Sequence, residues 1–223
     1  MRNIIKCCLF LSAIFTPFLV YGDSEAPPRS YAITSSDSKF LFVMIAPLEA
    51  QRYENSLSDA ARRESQKTRT MYPASGMYLN DGSTTPLWKI DWYSDGVLVA
   101  SDGIHLVRLG PWARSLSDEA FTFFANGKEL RSYKVGDLVE SEILLPHSVS
   151  HFTWQENMGL DEQRRILSVA TLSRERYVFD YTTGEIISAS RPIRAIVIAS
   201  VAVLLFIAFL IIKRRRMFAK GAV

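Results

Sequence analysis

Residues 94–109 read SDGVLVASDGIHLVRL, and residues 120–135 read AFTFFANGKELRSYKV. In both stretches, short runs of aliphatic and aromatic residues are separated by Asp-Gly or Asn-Gly pairs. Such pairs supply the positive φ angles of a two-residue hairpin turn, and the runs between them have the length of strands. The two stretches therefore predict antiparallel hairpins.

The same pattern extends over most of the chain. Further β-prone runs occur at 39–46, 77–79, 87–92, 152–154, 166–171, 177–181 and 186–188. Many short strands without strand–helix alternation predict a mainly β fold. We expect an antiparallel β-meander, a sandwich-like pair of sheets or a partial propeller over residues 36–190. The polar part, 48–70, is predicted as an exposed helix or a mobile insertion, with a helix starting at Ser58.

A threefold repetition is visible when the turns are aligned. Each unit reads acidic turn, strand, variable loop, strand, glycine turn, strand, and the turn glycines Gly82, Gly127 and Gly184 are 45 and 57 residues apart. That spacing is near the repeat length of a propeller blade. Three incomplete units are too few to close a propeller, so another copy or a partner is expected to cover the open edges.

Three segments carry a resemblance to known proteins. DGIHLVRLG (102–110), FFANGKELRSYKV (123–135) and RYVFDYTTGEII (176–187) resemble blade strands of bacterial propellers. Together with SVSHFTW (148–154), they also resemble uncharacterised small exported bacterial proteins. The resemblance covers about residues 91–188. It implies an exported β domain and no particular activity.

The N-terminal residues predict export. Arg2 and Lys6 precede an apolar run at 7–20, which is typical of a secretory signal peptide over residues 1–22. Cleavage is predicted after Gly22, and an uncleaved signal anchor is the alternative. Residues 23–35 are small, polar and proline-containing, and they are predicted as a linker.

An apolar run predicts a membrane anchor. Residues 195–212 contain no charge, proline or glycine, and the transmembrane helix is assigned to 193–212. At about 1.5 Å per residue, the 18-residue run is about 27 Å long, close to the hydrocarbon thickness of a bilayer. Lys213, Arg214, Arg215 and Arg216 follow directly and mark the cytoplasmic side. The prediction is a single-pass protein of the cell inner membrane with a periplasmic body and a basic cytoplasmic tail at 213–223.

The distribution of charge argues against nucleic acid as a partner. The whole chain has a net charge of +3, but the two ends hold eight of the 26 basic residues and none of the 23 acidic ones. Residues 23–192 therefore have a net charge of −5. Nucleic-acid binding by the body loses its compositional support, because such domains are usually basic. The predicted partners are the lipid bilayer and a protein partner or a second copy of the chain.

The positions of the cysteines and histidines limit which catalytic and metal-binding sites the exported body can hold. Both cysteines precede residue 23, so the exported body has no thiol and no disulfide. His147 and His151 form an i, i+4 pair in HSVSH, but the glutamate of the zinc-protease motif is replaced by Ser148. Together with Ser150, they are the candidate residues for a membrane-tethered hydrolase or a metal-dependent enzyme. No cofactor and no metal site is predicted.

The leading functional hypothesis is a non-enzymatic interaction or scaffold module. The turn acids Asp81, Asp95 and Asp102 are explained by hairpin chemistry. Among the aromatic residues, Trp112 follows Gly110-Pro111 in a turn, and Trp154 follows the histidine pair. We expect Trp112 and Trp154 to be ligand-binding candidates, with packing in a β core as the alternative role.

Overall fold

The computed structural model describes residues 25–143, 145–192, 200–201 and 203–211. The predicted signal peptide, the basic tail with Lys213, Arg214, Arg215 and Arg216, and residues 193–199, 202 and 212 of the predicted membrane helix lie outside these residues.

The described strands form three separate four-stranded sheets, and in each sheet the strands are antiparallel and adjacent in sequence order. Sheet 1 consists of β1 (Tyr31–Thr34), β2 (Phe40–Met44), β3 (Gly76–Leu79) and β4 (Trp88–Lys89). Sheet 2 consists of β5 (Val97–Val99), β6 (His105–Leu109), β7 (Glu119–Ala125) and β8 (Lys128–Lys134). Sheet 3 consists of β9 (Gln155–Asp161), β10 (Ile166–Thr171), β11 (Arg176–Asp180) and β12 (Glu185–Ser190). The prediction of a mainly β, antiparallel meander is confirmed.

The three units are complete, which corrects the prediction of incomplete ones. Tyr31–Thr34, expected to belong to the linker, pairs with β2 as the first strand of sheet 1. Gln155–Asp161 pairs with β10 as the first strand of sheet 3. β9 is polar and has no β-branched residue, so its pairing with β10 decides its conformation rather than intrinsic propensity. β1 has only four residues, and although Tyr31, Ile33 and Thr34 favour a strand, it follows directly on the proline-containing segment. The run 152–154, predicted as a strand, forms only isolated bridges from Phe152 to Ala113 and His147.

In all three sheets, the connections between the first and second strands and between the third and fourth strands lie at one end of the body. This turn end comprises the connections 35–39, 80–87, 100–104, 126–127, 162–165 and 181–184, between the first and second or the third and fourth strands. The opposite loop end comprises the connections 45–75, 90–96, 110–118, 135–154 and 172–175, with residues 25–30 and 191–192. Ser94-Asp95-Gly96, a hairpin signal in the sequence, instead joins sheet 1 to sheet 2 at the loop end.

Hydrogen bonds at the turn end join the first hairpins of the three sheets. Ser36 Oγ of sheet 1 lies 2.7 Å from Ser101 Oγ of sheet 2. Glu162 of sheet 3 accepts a hydrogen bond from Ser36 Oγ at 2.9 Å and one from the Ser101 backbone N–H at 3.1 Å. One carboxylate thus links all three sheets, which keeps their turn ends together.

Sheet 2 lies between the other two sheets and is buried on both faces. Leu106 and Phe124 face sheet 1, where they pack in one cluster with Phe42. Val107 and Phe123, their neighbours in the chain, face sheet 3. This division follows from the pleat, because successive side chains of a strand point to opposite faces.

An aromatic cluster joins sheets 2 and 3. The Phe179 ring of sheet 3 lies 5.2 Å from Phe121, 5.7 Å from Phe123 and 4.9 Å from Tyr133, measured between ring centroids. The Tyr133 hydroxyl donates a hydrogen bond to the Gly184 carbonyl oxygen at 2.7 Å. Aromatic rings of β7, β8 and β11 therefore form the contact between sheets 2 and 3.

The predicted insertion packs against sheet 1 beside the start of its first strand. It contains a 3-10 helix, Leu48–Ser56, and helix α1, Asp59–Met71. The predicted helix start is confirmed, because the Ser58 side chain accepts the Ala61 backbone N–H. The insertion is not simply exposed, since Ser65 of α1 is buried and accepts a hydrogen bond from the Ser30 backbone N–H at 3.0 Å. A second short helix, α2 (Val135–Leu138), follows β8.

Residues 200–201 and 203–211 are helical, and their large apolar side chains are exposed. Within the part of the chain that the structure describes, no helix is long and apolar enough to cross a membrane.

Replacing a ring of the aromatic cluster is expected to destabilise the body strongly. Phe123 is fully buried, so Phe123→Ala should lower the free energy of unfolding by about 3–5 kcal/mol. Leu130 on the neighbouring strand is exposed, and Leu130→Ala should cost below about 1 kcal/mol. Urea unfolding of the purified chain, followed by tryptophan fluorescence, measures both values. Equal losses for the two variants would contradict this account of the core.

Candidate functional site

Two adjoining cavities form a groove at the loop end, beside the end of β6. One has a volume of about 240 Å³ and reaches His151 and Trp154, and the other has a volume of about 470 Å³ and reaches Tyr93 and Arg108. Both are lined by residues 109–112. We call this combined depression the aromatic groove. It is lined by residues 109–112 together with Glu25, Pro28, Tyr93, Ser94, Asp95, Gly96, Arg108, Ala113, Glu119, Ala120 and 151–155.

Trp112 and His151 form one wall of the aromatic groove. Their ring centroids are 4.1 Å apart, with an angle of 34° between the planes. Gly110 brings the backbone of this wall close to β7, because a Cβ atom there would lie 1.9 Å from the Glu119 carbonyl oxygen. The Gly110 N–H donates to the Ala120 carbonyl oxygen at 3.0 Å. The glycine therefore positions Pro111 and Trp112 at the rim of sheet 2.

Asp118 fixes the loop that carries Trp112. Its carboxylate accepts the backbone N–H groups of Arg114 at 2.7 Å and Ser115 at 2.8 Å. These backbone hydrogen bonds, with a smaller contribution from the Ser115 hydroxyl, hold the pKa of Asp118 below its ordinary value. The ionised carboxylate is thus part of the loop structure.

The chain's own residues 25–29, EAPPR, lie along the aromatic groove. Glu25 accepts the Trp112 backbone N–H at 3.0 Å through its side-chain Oε1. At the other end of the segment, the Arg29 backbone N–H donates to the Tyr93 hydroxyl at 2.9 Å. Pro27 and Pro28 lie between these contacts and line the adjoining surface near Tyr93 and Trp112. A proline-containing segment therefore forms part of the groove wall, held by polar contacts at both ends.

Tyr93 keeps its proton under ordinary conditions. Burial raises the pKa of the Tyr93 phenol well above its usual value, and the hydrogen bond to Asp95 raises the pKa further. The hydroxyl lies 2.7 Å from Asp95 Oδ1, to which it donates, while it accepts the Arg29 N–H. The neutral phenol can therefore act as donor and acceptor at the same time.

An ion pair closes the side of the aromatic groove next to sheet 2. Arg108 donates to both carboxylate oxygens of Glu119, from Nε at 2.9 Å and from a terminal nitrogen at 2.6 Å. Its guanidinium carbon also lies 5.0 Å from the centre of the Trp92 ring and 5.3 Å from that of Phe124. The bidentate pair holds the arginine against the aromatic rings and contributes polar atoms to the groove wall.

The histidine pair is not arranged as on a helix or a strand. His147 and Phe152 form an isolated bridge, so the HSVSH segment turns back on itself. His147 Nε2 lies 2.9 Å from the Glu142 carbonyl oxygen, whereas His151 stacks on Trp112 with Nδ1 3.3 Å from Ser150 Oγ. Among the described residues, no group of three or more His, Cys, Asp or Glu side chains is placed to hold a metal ion.

The structure brings some of the sequence candidates together and not others. Trp112, His151 and Trp154 line the same cavity, with Trp154 largely buried in its wall. His147 packs on Phe152 instead and does not line the aromatic groove. Sequence reasoning missed Tyr93, which precedes a segment that reads as a hairpin turn and carries no local signal for a site.

Acidification is expected to weaken the loop around Trp112. Because the folded pKa of Asp118 is lowered, its stabilising effect is complete above the ordinary carboxyl pKa of about 4 and is lost as the pH falls through the folded pKa. Asp118→Ala should therefore be less stable than the unsubstituted chain by about 1 kcal/mol at pH 7. The difference should shrink towards pH 3 in paired urea titrations. A difference that is independent of pH would contradict the assigned role of the carboxylate.

Removing the Tyr93 hydroxyl is expected to loosen residues 25–29. In Tyr93→Phe the Arg29 backbone N–H loses its hydrogen-bond acceptor. The loss of about 1 kcal/mol corresponds to about a fivefold larger fraction of chains in which residues 25–29 are detached from the body. Limited trypsin digestion should then cut after Arg29 about five times faster. The exposed Tyr53→Phe variant is the matched control and should be cut at the original rate. Equal rates in all three chains would show that this contact does not hold the segment.

Comparison of the chain with protein-family models, with curated proteins and with solved structures finds no match in any of the three. Its function is therefore inferred from the aromatic groove and the architecture around it.

Proposed function

We propose that the protein is a membrane-anchored interaction module that holds an extended peptide segment of a partner protein in the aromatic groove. It acts as a non-enzymatic scaffold at the outer, periplasmic face of the cell inner membrane. The observation that carries the proposal is the docking of residues 25–29 between Trp112 and Tyr93.

The anchor in this proposal is the helix assigned to 193–212. Its support is the exposure of the described large apolar side chains at 201 and 203–211, each between 47% and 67% accessible. A helix that is apolar all round is typical of a membrane span or a buried core. Lys213, Arg214, Arg215 and Arg216 follow in the sequence, which favours a cytoplasmic position for the tail.

The three sheets are proposed to be consecutive blades of a partial propeller. Each is a four-stranded meander in sequence order, and sheet 2 packs face to face with both neighbours. The outermost strand of sheet 3, β12, exposes all of its residues. We expect a partner or a second copy of the chain to cover that edge, because an uncovered strand offers free backbone hydrogen-bonding groups.

The groove has the chemistry that peptide recognition requires. Planar rings at Trp112, His151 and Tyr93 offer apolar contact area, which suits the rings of proline side chains. The Trp112 backbone N–H can donate a hydrogen bond and the Tyr93 hydroxyl can accept one, as each already does with Glu25 and Arg29. A segment of similar composition from a partner would compete with residues 25–29 for the same contacts.

A membrane-tethered hydrolase or metal-dependent enzyme using His147 or His151 is the second candidate. One contact favours the hydrolase, the 3.3 Å approach of Ser150 Oγ to His151 Nδ1. A serine nucleophile needs such a base within hydrogen-bond reach and a third group that orients the base. The His151 ring stacks on Trp112, and this contact restricts the orientation of the imidazole.

A synthetic peptide with the sequence of residues 24–30, SEAPPRS, tests both candidates. We expect it to bind the full chain carrying Glu25→Gly and Pro28→Gly, in which the native segment is loosened. Adding Trp112→Ala should weaken binding by about tenfold or more, because an aromatic anchor at the centre of an interface carries much of the affinity. Isothermal titration in detergent measures both affinities.

Two controls make the result specific. Leu130→Ala, on the exposed face of β8, should leave peptide binding unchanged. A peptide in which both prolines are replaced by alanine should bind more weakly than SEAPPRS. Equal binding with and without Trp112 would overturn the interaction proposal. Cleavage of the peptide, detected by mass spectrometry and lost in Ser150→Ala, would favour the hydrolase instead.

A further inference from the structure

The chain leaves the β body at the loop end and is held there. Strand β12 runs from the turn end to Ser190 at the loop end. The next residue, Arg191, donates from a terminal guanidinium nitrogen to the Asp137 carbonyl oxygen at 3.0 Å and lies 5.5 Å above the Tyr177 ring. The chain is therefore attached to the body as far as Arg191, and no loose linker begins before Pro192.

This attachment limits the distance between the body and the proposed anchor. Only residues 192–194 separate Arg191 from the apolar run at 195–212. Even a fully extended chain covers at most about 3.6 Å per residue, so this connection spans at most about 15 Å. If the run crosses a bilayer, which rests on the function proposed above, the loop end must face the membrane at close range.

The most exposed large apolar side chains of the body belong to connections at the loop end. Ile143 is 82% accessible, Leu48 is 76% and Val149 is 70%. These are the three most exposed large apolar side chains among the described residues of the β body. They come from two connections, 45–75 and 135–154, that end at the same end of the sheets as Arg191. Such a concentration at one end is typical of a contact surface.

Helix α1 contacts the loop end through Ser65, which accepts the Ser30 backbone N–H, and it adds positive charge near this end. Arg63, Lys67 and Met71 follow one another at intervals of four residues and are exposed along one side of the helix. Residues four apart lie on the same face of an α-helix. A face that combines basic side chains with an exposed methionine is complementary to anionic headgroups above an apolar layer.

We propose that the loop end of the body rests on the bilayer surface. Leu48, Ile143 and Val149 enter the interfacial layer, while Arg63 and Lys67 of α1 contact anionic lipid headgroups. The aromatic groove then opens beside the membrane, so the partner segment it receives is one that lies close to the bilayer.

Depth-dependent quenching of a fluorescent label tests this orientation. The full chain carries Cys7→Ser and Cys8→Ser together with one new cysteine, at Leu48→Cys, Ile143→Cys or Val149→Cys, labelled with a nitrobenzoxadiazole group. Ile104→Cys, an exposed position at the turn end, is the matched control. Leu204→Cys in the helix is the reference for a position in the bilayer. The chains are reconstituted in phosphatidylcholine vesicles that contain phosphatidylglycerol and nitroxide-labelled lipids.

We expect headgroup and shallow nitroxides to quench the labels at 48, 143 and 149, and to leave the label at 104 unquenched. If the label at 204 is quenched by deep nitroxides while those at 143 and 149 behave like the one at 104, the orientation is overturned and the anchor stands. If the label at 204 is not quenched, the anchor and the orientation are both overturned. Labels at 143 and 149 that shift to the blue without quenching would show a protein contact instead of lipid, which also overturns the orientation.

A second comparison tests the contribution of the headgroups. Arg63→Gln with Lys67→Gln should reduce quenching of the label at 48 about twofold or more in vesicles containing phosphatidylglycerol. Omission of phosphatidylglycerol should have the same effect on the unsubstituted helix. Unchanged quenching in both tests would overturn the role assigned to α1.

Discussion

Sheet 2 packs against a neighbouring sheet on each of its faces, and this double packing holds the body together. Alternate side chains of β6 and β7 serve opposite neighbours, with Leu106 and Phe124 packed towards sheet 1, and Val107 and Phe123 towards sheet 3. A shift of one residue in the register of either strand would exchange these two sets and disrupt both interfaces. The contacts of Phe179 with three rings of sheet 2 make the second interface the most aromatic part of the core.

The meander topology places mostly short turns at one end of the sheets and the longest connections at the other. Short hairpins occupy the turn end, where Glu162 joins three of them, and leave little chain free to form a site. The longer connections meet at the loop end, which therefore holds the insertion with α1, the loop around Trp112 and the segment around His151. The aromatic groove forms there because chain segments from three connections converge on the rim of sheet 2.

Local sequence patterns predicted the strands with strong propensity and the turns with obligatory chemistry. Asn126-Gly127 forms the β7–β8 turn with positive φ at both residues, as an Asn-Gly pair indicates. Strand β9 was missed because its residues have weak intrinsic preference, and pairing with β10 decides its conformation. Strand β1 was missed because its four residues follow a proline-containing segment that reads as a linker, and only the pairing with β2 shows it as a strand. Trp112, His151 and Trp154 could be selected as candidates by residue type, but Tyr93 and Glu25 could not, since their roles depend on contacts between distant parts of the chain.

Local sequence patterns specify the mainly β class, the meander and most of its hairpins, because these follow from side-chain alternation and from turn residues within a few positions of each other. Tertiary contacts complete the three units, pack the polar insertion against sheet 1 and place residues 25–29 along the groove. These features depend on contacts between residues far apart in the chain. Nothing in a local pattern specifies such contacts, because their free energy is gained only when the separate segments meet.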